Sequence, residues 1–194
     1  SDSTNAPPRH PLDPYSAEEL ALAVKTLQES GRVGPSTRYS CALPVEPSKE
    51  AIRNFEAGQS IDREIRLLGY DPEGGGSFDT RLSLSSQEVL DFSKVENGQV
   101  PLSFMDFLTV IGTVKADPGW QDAVRQRGID DFDRIQIDPW PAGGFLPPEA
   151  AAESRVMRAI SFYRETPTDN GYAHPLEGLI AFVDIDAQRV IRLD

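Results

Sequence analysis

The spacing of apolar residues in the first half of the chain predicts one helix followed by several strands. Ser16 and Glu19 form the Ser-x-x-Glu pattern of a helix capping box, apolar residues then recur at helical spacing, and Gly31 is a typical helix C-cap. A short helical or turn insert is expected over 48–55. Runs bounded by Pro and Gly, mostly with alternating apolar residues, predict strands over 37–45, 61–70, 78–84 and 88–95.

The second half repeats this order of elements. Helical spacing predicts a helix over 102–114 and another over 121–127. Ile135 and Ile137 alternate into Asp138-Pro-Trp140-Pro, and strand-like runs follow over 155–164, 179–185 and 189–193. Each half therefore predicts a helix laid on a roughly four-stranded antiparallel sheet, an α+β fold. Because the two halves are not alike residue by residue, the repeat is one of architecture.

The turn Gly98-Gln-Val-Pro-Leu102 is the most natural domain boundary. We expect a flexible, proline-rich arm over residues 1–12, one domain over 13–98 and a second over 99–194.

Composition and charge exclude several classes of function. Hydrophobic residues make up 39% of the chain, and no apolar run approaches the roughly 20 residues that a membrane-spanning helix needs. The net charge is −12 and no basic stripe is present, which excludes nucleic acid as a partner. The first residues lack the apolar core of a signal peptide. A removed leader would leave no trace, so a soluble protein in the periplasm or outside the cell is as compatible with the sequence as one inside it.

The sequence contains few residues that could hold a metal ion or act as a catalytic nucleophile. The chain has two histidines, His10 and His174, and one cysteine, Cys41, with no His-x-His or Cys-x-x-Cys. Zinc or copper held by nitrogen and sulfur is therefore not expected. Cys41 lies in a predicted strand and is interpreted as a buried structural residue. A Ser/His/Asp arrangement can be drawn around His174, but a structural role for this residue is the favoured interpretation.

Two aromatic residues stand in segments rich in proline and glycine. Trp140 is flanked by prolines, and Tyr172 lies in 169–175, so both are expected on stiff loops. From the sequence alone, such residues serve either as core plugs or as walls of a binding site, and the first is the commoner case.

One stretch of the chain resembles the copper-containing primary-amine oxidases. Asn170-Gly-Tyr-Ala-His-Pro-Leu-Glu-Gly178, followed by Leu179-Ile-Ala-Phe-Val-Asp184, is similar to the stretch that closes the third domain of that family, just before its catalytic domain. Weaker similarities occur in the family's order at His10-Pro-Leu-Asp-Pro14, at Asp138-Pro-Trp140, and at Arg155-Val-Met-Arg158. The resemblance covers the chain from about His10 to Asp194.

The resemblance implies two consecutive cystatin-like domains, termed N2 and N3 in that family. Such domains pack on the catalytic domain and help to form the channel through which primary amines reach the cofactor. The resemblance places Tyr172, Trp140 and Phe104 in the channel lining, with Phe104 the position most sensitive to a slip in helix register. His174, Pro175, Glu177 and Gly178 are implied to be structural members of the family motif.

The catalytic residues of that family have no counterpart in this sequence. The family uses a tyrosine within Asn-Tyr-Asp/Glu, which is oxidised to topaquinone, a copper ion on three histidines, and an aspartate base. None of the five tyrosines stands in that motif, and two histidines cannot supply three ligands. We therefore expect no catalytic residue, no metal ligand and no cofactor in this chain, with copper and topaquinone belonging to the family's catalytic domain.

Three hypotheses remain open from the sequence. The first is a non-catalytic accessory region, inactive alone, that works with a catalytic domain in cis or in trans; the chain is then a fragment, a truncated product or a stand-alone descendant. The second is a stand-alone cystatin-like module that binds a peptide or small molecule. The third, which has the least support, is a small enzyme of unrelated chemistry. The first predicts an exposed apolar patch near Trp140 and Tyr172.

Overall fold

The computed structural model describes residues 10–96, 98–151 and 154–194, and its contacts divide the chain into two compact units. Unit 1 spans Ser1–Ser103 and unit 2 spans Phe104–Asp194, so the division falls a few residues after the predicted boundary at 98. Residues 1–9 of the predicted arm lie outside the described residues. Residues 10–12 form a turn, in which Asp13 N donates to His10 O at 3.0 Å. The His10 ring packs edge-on against Phe55, so this end of the predicted arm is held in place.

Unit 1 consists of a helix and a short helical insert combined with one antiparallel sheet. The sheet has the order β1-β2-β3-β4 and every neighbouring pair is antiparallel. The elements are α1 (Ala17–Glu29), β1 (Arg38–Val45), α2 (Lys49–Arg53), β2 (Glu64–Asp71), β3 (Gly76–Ser83) and β4 (Glu88–Lys94).

Helix α1 begins where the sequence predicts. Glu19 N donates to Ser16 Oγ at 3.2 Å while Ser16 N donates to Glu19 Oε2 at 2.8 Å, so both halves of the capping box are formed. The buried side of the helix, which includes Leu27, belongs to a core with Ile65 and Phe78 of the sheet.

Unit 2 combines two helices with a second sheet of the same topology. The sheet has the order β5-β6-β7-β8, again antiparallel throughout. The elements are α3 (Phe104–Ala116), α4 (Pro118–Arg125), a 3₁₀ turn (Phe132–Arg134), β5 (Ile135–Pro141), β6 (Val156–Tyr163), β7 (Pro175–Asp184) and β8 (Arg189–Leu193). The predicted α+β class, with helices on four-stranded antiparallel sheets, is confirmed for both units.

The two faces of the unit 2 sheet differ in burial. Alternate residues such as Ile137, Ala159 and Ser161 are buried, and the buried indole Nε1 of Trp120 in α4 donates to Ser161 Oγ at 3.0 Å. This face is therefore the helix side. The residues between them project to the opposite side, which we call the outer face.

Two predictions about single residues are corrected by the structure. Trp140 lies within strand β5, not on a loop, because Pro139 and Pro141 are accommodated on an edge strand that pairs only with β6. Cys41 is half-buried instead of buried. It lies on β1, the edge strand of unit 1, whereas α1 contacts β3 and β4.

Within the described residues, no helix has the length and apolar character needed to cross a membrane.

Candidate functional site

The outer face of the unit 2 sheet is apolar at its centre. Strand register places Ile160 of β6 beside Ile180 of β7, with Phe162 and Phe182 two residues further along their strands in opposite directions. These four side chains are half-buried and project to the side of the sheet opposite to Trp120 of α4. We define the apolar outer face as these residues with the aromatic at the end of β5: Trp140, Ile160, Phe162, Ile180 and Phe182.

Tyr172 extends the apolar outer face at one end. Its ring packs edge-on against Phe162 with the centroids 5.2 Å apart, and 58% of the residue is exposed. Hydrogen bonds fix the loop that carries it, since Tyr172 N donates to Asn170 Oδ1 at 3.1 Å. In the same loop the hydroxyl and N–H of Thr166 donate to Asp169, which holds the pKa of that carboxyl below its usual value.

Trp140 occupies the other end of the same face. Its indole Nε1 donates to Asp138 Oδ2 at 2.7 Å, and 51% of the residue is exposed. Gln136, which is opposite Phe162 in the register, lies four residues before Trp140 and thus about 13 Å away along the strand. The structure therefore places Trp140 and Tyr172 near opposite ends of one face, and both lie exposed as the accessory-region hypothesis predicts.

Phe104 does not join these two residues. It is the first residue of α3, on the helix side of the sheet, and it is 75% exposed. Met105 and Leu108 of the same helix are also exposed, so α3 has an apolar surface of its own. The sheet separates this surface from the apolar outer face.

The motif from His174 to Gly178 forms an irregular start to strand β7. Phe162 of β6 is paired with Pro175 and Ile160 is paired with Ile180, so residues 176–179 are opposite the single residue Ser161. Gly178 has φ +61°, a backbone conformation that glycine adopts readily, and it allows the chain to return to the strand. The imidazole of His174 is exposed, while its carbonyl accepts from Tyr163 N at 2.8 Å.

Arg127, just beyond α4, holds this bulge from outside. Its Nη2 donates to Glu177 O at 2.8 Å and to Gly178 O at 2.9 Å, and its Nη1 donates to Ala123 O at 2.8 Å. The sequence pattern did not single out Arg127, because its partners are backbone carbonyls some 50 residues away that only the fold brings near.

A buried ionic cluster lies at the start of β6. Arg155 and Asp106 are each 1% exposed; Arg155 Nη2 is 3.1 Å from Asp106 Oδ1 and 2.8 Å from Asp186 Oδ1. Burial lowers the pKa of the Arg155 guanidinium, but the bonds from Asp186 and Asp106 outweigh it, so the pKa lies above its usual value. The cluster ties α3 to the sheet and to the β7–β8 turn.

The corresponding outer surface of unit 1 carries two charged pairs between its central strands, next to apolar residues such as Leu43 and Leu68. Arg66 of β2 pairs with Asp79 of β3, and Arg81 of β3 pairs with Glu64 of β2 at 3.1 Å. Each arginine therefore has a carboxylate from the neighbouring strand. These charged side chains are stable in contact with water.

A shallow depression in unit 2 lies beside the motif. It has a volume of about 640 Å³ and is open to solvent, with Arg127, Tyr163, His174 and Glu177 among its lining residues. It does not enclose a ligand in the manner of a typical small-molecule site.

The residues present do not fit a copper and quinone centre. No group of three His, Cys, Asp or Glu side chains within the described residues converges as a metal site would require, and the chain has only two histidines. None of its tyrosines stands in an Asn-Tyr-Asp/Glu motif. No catalytic step is therefore assigned to this chain.

Comparison with known proteins identifies the family. Residues 16–91 match the model described as the AGAO-like N2 domain, and residues 105–194 match the model of the copper amine oxidase N3 domain. The chain belongs to the copper amine oxidases. More particularly, its first unit is an N2 domain and its second an N3 domain of that family.

Curated relatives show the same relation. The chain is 34% identical over 97% of its length to histamine oxidase of Arthrobacter globiformis, and 34% identical over 95% to primary amine oxidase of Arthrobacter sp. (strain P1). It spans 28% of the length of each. The solved structure of a copper-containing benzylamine oxidase from Hansenula polymorpha matches 95% of the chain with a TM-score of 0.75 at 18% identity, and the chain covers 30% of it. This likeness shows a shared fold.

Proposed function

We propose that this chain is the non-catalytic N2/N3 region of a copper amine oxidase and that unit 2 both packs on the catalytic domain and supplies part of the substrate channel. The observation that carries the proposal is the apolar outer face of unit 2, with exposed aromatic rings at its two ends. Exposed contiguous apolar surface marks interaction sites in soluble proteins. The charged pairs between the central strands of unit 1 argue that this topology does not require apolar residues at the corresponding positions.

In this proposal the reaction takes place on the catalytic domain, in cis or in trans. The family reaction is the oxidative deamination of primary amines to aldehyde, ammonia and hydrogen peroxide. Trp140 and Tyr172 form walls for the amine on its way there. Their ring faces contact the apolar part of an amine and attract its ammonium group through the cation–π interaction. Phe104 remains a proposed channel residue, but it acts through a different surface, because it lies on the helix side of unit 2.

The experiment is co-expression of this chain with the part of Arthrobacter globiformis histamine oxidase that lies outside the matched region. We expect the two pieces to purify together and to release peroxide when a primary amine is added. Neither piece should do so at the same rate alone. Failure of the wild-type chain to co-purify with a copper-loaded partner would overturn the proposal. A peptide or small molecule retained by the isolated chain would then support the stand-alone binding module.

Channel residues are tested in the same complex by comparing bulky and small amines. Trp140→Ala and Tyr172→Ala should each raise KM for an arylalkylamine by about tenfold, the loss of one aromatic contact, and leave KM for methylamine nearly unchanged. Leu90→Ala is the matched control, because Leu90 is an exposed apolar residue of unit 1. Equal effects of all three substitutions on both amines would contradict the channel role.

A further inference from the structure

Arg158 is the one residue of its strand that interrupts the apolar outer face. It lies on β6, two residues before Ile160, and projects to the same side of the sheet. The register places it directly between Trp140 of β5 and Phe182 of β7. Its side chain is half-buried among these neighbours.

Among the described residues, no hydrogen bond or ion pair joins the guanidinium of Arg158 to a carboxylate. Its Nε is buried and has no hydrogen-bond partner among the described residues. Two acidic residues lie diagonally to Arg158 in the strand register, one on β5 and one on β7, and each accepts hydrogen bonds from other groups. Asp138 accepts from the indole of Trp140, and Asp184 accepts from the backbone N–H groups of residues 186 and 187. In unit 1, by contrast, Arg66 and Arg81 each pair with a carboxylate on the neighbouring strand.

This arrangement restricts what can cover the apolar outer face. A purely apolar partner surface would remove water from the Arg158 guanidinium without replacing its hydrogen bonds, which opposes binding. A carboxylate at that point would accept two parallel N–H bonds from the planar guanidinium while the surrounding apolar residues pack. Paired arginines within well-packed apolar surroundings are frequent binding hot spots.

We propose that Arg158 is the polar anchor of the unit 2 interface and binds a carboxylate of the partner, which is apolar around that group. This inference rests on the proposed function, in which the partner is the catalytic domain of a copper amine oxidase. It adds the chemistry of the contact: one acidic side chain of that domain meets Arg158 between Trp140 and Phe182. The anchor fixes the position of the face as well as its affinity, because a bidentate pair is directional.

The test uses the co-expressed complex with the histamine oxidase segment and measures the amount of partner that purifies with the tagged chain. Arg158→Met keeps the apolar stem and removes the charge, and it should lower recovery or affinity by about thirtyfold or more. Arg158→Lys should restore part of the loss, since it supplies the charge without the planar fork. Arg81→Met, which removes an outer-face arginine of unit 1, is the matched control and should change binding less than twofold.

A further variant distinguishes the role proposed for Arg158 from the proposed function on which it rests. Ile160→Asp places a charge at the centre of the apolar outer face and should abolish binding if this face is the interface at all. Binding that is lost with Ile160→Asp but kept with Arg158→Met overturns the anchor and leaves the proposed function standing. No binding by the wild-type chain overturns the proposed function and, with it, the identity of the partner. Circular dichroism and thermal unfolding of each variant establish that a lost complex is not a lost fold.

Discussion

In both units, an ion pair between an arginine and a carboxylate joins the first helix to the sheet. In unit 1, Arg63 immediately precedes strand β2, and its Nε lies 2.8 Å from Oε1 of Glu19, the third residue of α1. In unit 2, Arg155 immediately precedes β6 and pairs with Asp106, the third residue of α3. In both sheets the arginine stands before the second strand. A buried ion pair at equivalent positions therefore belongs to the shared architecture.

The outer faces of the two sheets are where the units differ. Unit 1 has charged pairs between its two central strands, whereas the central strands of unit 2 carry apolar side chains and Arg158, which has no carboxylate partner among the described residues. Because the same topology tolerates both, the outer face of unit 2 is not a requirement of folding. The buried ion pair is therefore part of the shared fold, whereas the apolar outer face of unit 2 is the surface that the proposed function assigns to a partner.

The largest effect is expected from the buried arginine of unit 2. Arg155→Met leaves Asp106 and Asp186 without their cation, and it should destabilise unit 2 by about 3–5 kcal/mol, the usual cost of breaking a buried pair. Both tryptophans lie in unit 2, so tryptophan fluorescence during urea unfolding follows this unit. A decrease of less than about 1 kcal/mol in the free energy of unfolding would show that the Arg155–Asp106 pair does not hold α3 to the sheet.

The same substitution in unit 1 provides the matched comparison. Arg63→Met should cost about 2 kcal/mol, less than its counterpart, because Arg63 is paired with one carboxylate that is partly exposed. Cys41, the only cysteine, lies in unit 1, so its rate of alkylation against urea concentration follows that unit. If the two arginines have equivalent roles, Arg155→Met should lower the urea midpoint measured by tryptophan fluorescence. Arg63→Met should lower the urea midpoint measured by Cys41 alkylation.

An intermediate effect is expected at alkaline pH in unit 1. Burial raises the pKa of the Tyr39 phenol above its ordinary value of 10.0, with a further contribution from Asp71, and burial also raises the pKa of Tyr15. Above pH 10 the unfolded chain loses these protons before the folded unit does. Unit 1 therefore keeps this stability below pH 10 and loses it as pH rises through the folded pKa values.

Tyr39→Phe tests this pH dependence. The Tyr39 hydroxyl is buried and has no hydrogen-bond partner among the described residues, so its removal should leave stability at pH 8 unchanged or slightly higher. Above pH 10 the variant should lose less stability than the wild-type chain. Cys41 alkylation of both proteins at each pH gives the comparison, and parallel pH profiles would contradict the assignment to Tyr39.

The smallest effect is expected from the outer-face pairs of unit 1. Arg66→Met removes the partner of Asp79, which holds the pKa of that carboxyl below its usual value. Because both side chains are partly exposed, the loss should be the smallest of the series and should shrink further in 1 M salt. The Cys41 probe measures it. A loss of stability as large as that of Arg63→Met would remove the distinction between the buried helix-to-sheet pairs and the exposed pairs of the outer face.

Local signals in the sequence predicted most elements to within a few residues. The capping box at Ser16 and Glu19 is a short-range pattern, and the structure shows both of its bonds. The predicted strands lie close to the observed ones because alternation reports one buried face directly. Trp140 was misplaced on a loop, since prolines usually end strands and only the edge position of β5 accommodates them.

The candidate site was less accessible to sequence reasoning. The family motif pointed to Tyr172 and Trp140, which lie on one face, and to Phe104, which lies on the helix side of the sheet. Arg127, Arg155 and Arg158 were not assigned roles, because an isolated arginine carries no periodic signal. Their significance depends on which carboxylates and carbonyls lie nearby after folding, and these are tens of residues away in the chain.

The amino-acid sequence by itself determined the two helix-and-sheet units, the family to which they belong and the shortage of metal ligands. These follow from periodicity, from a contiguous motif and from counting residues, all of which are properties of neighbours along the chain. Only the tertiary structure decided that the central strands carry charged pairs on the outer face of unit 1 and apolar side chains on that of unit 2. It also decided that Arg158 stands between two aromatic rings with no carboxylate partner among the described residues. Strand register sets these relations, and register brings together residues that no local pattern connects.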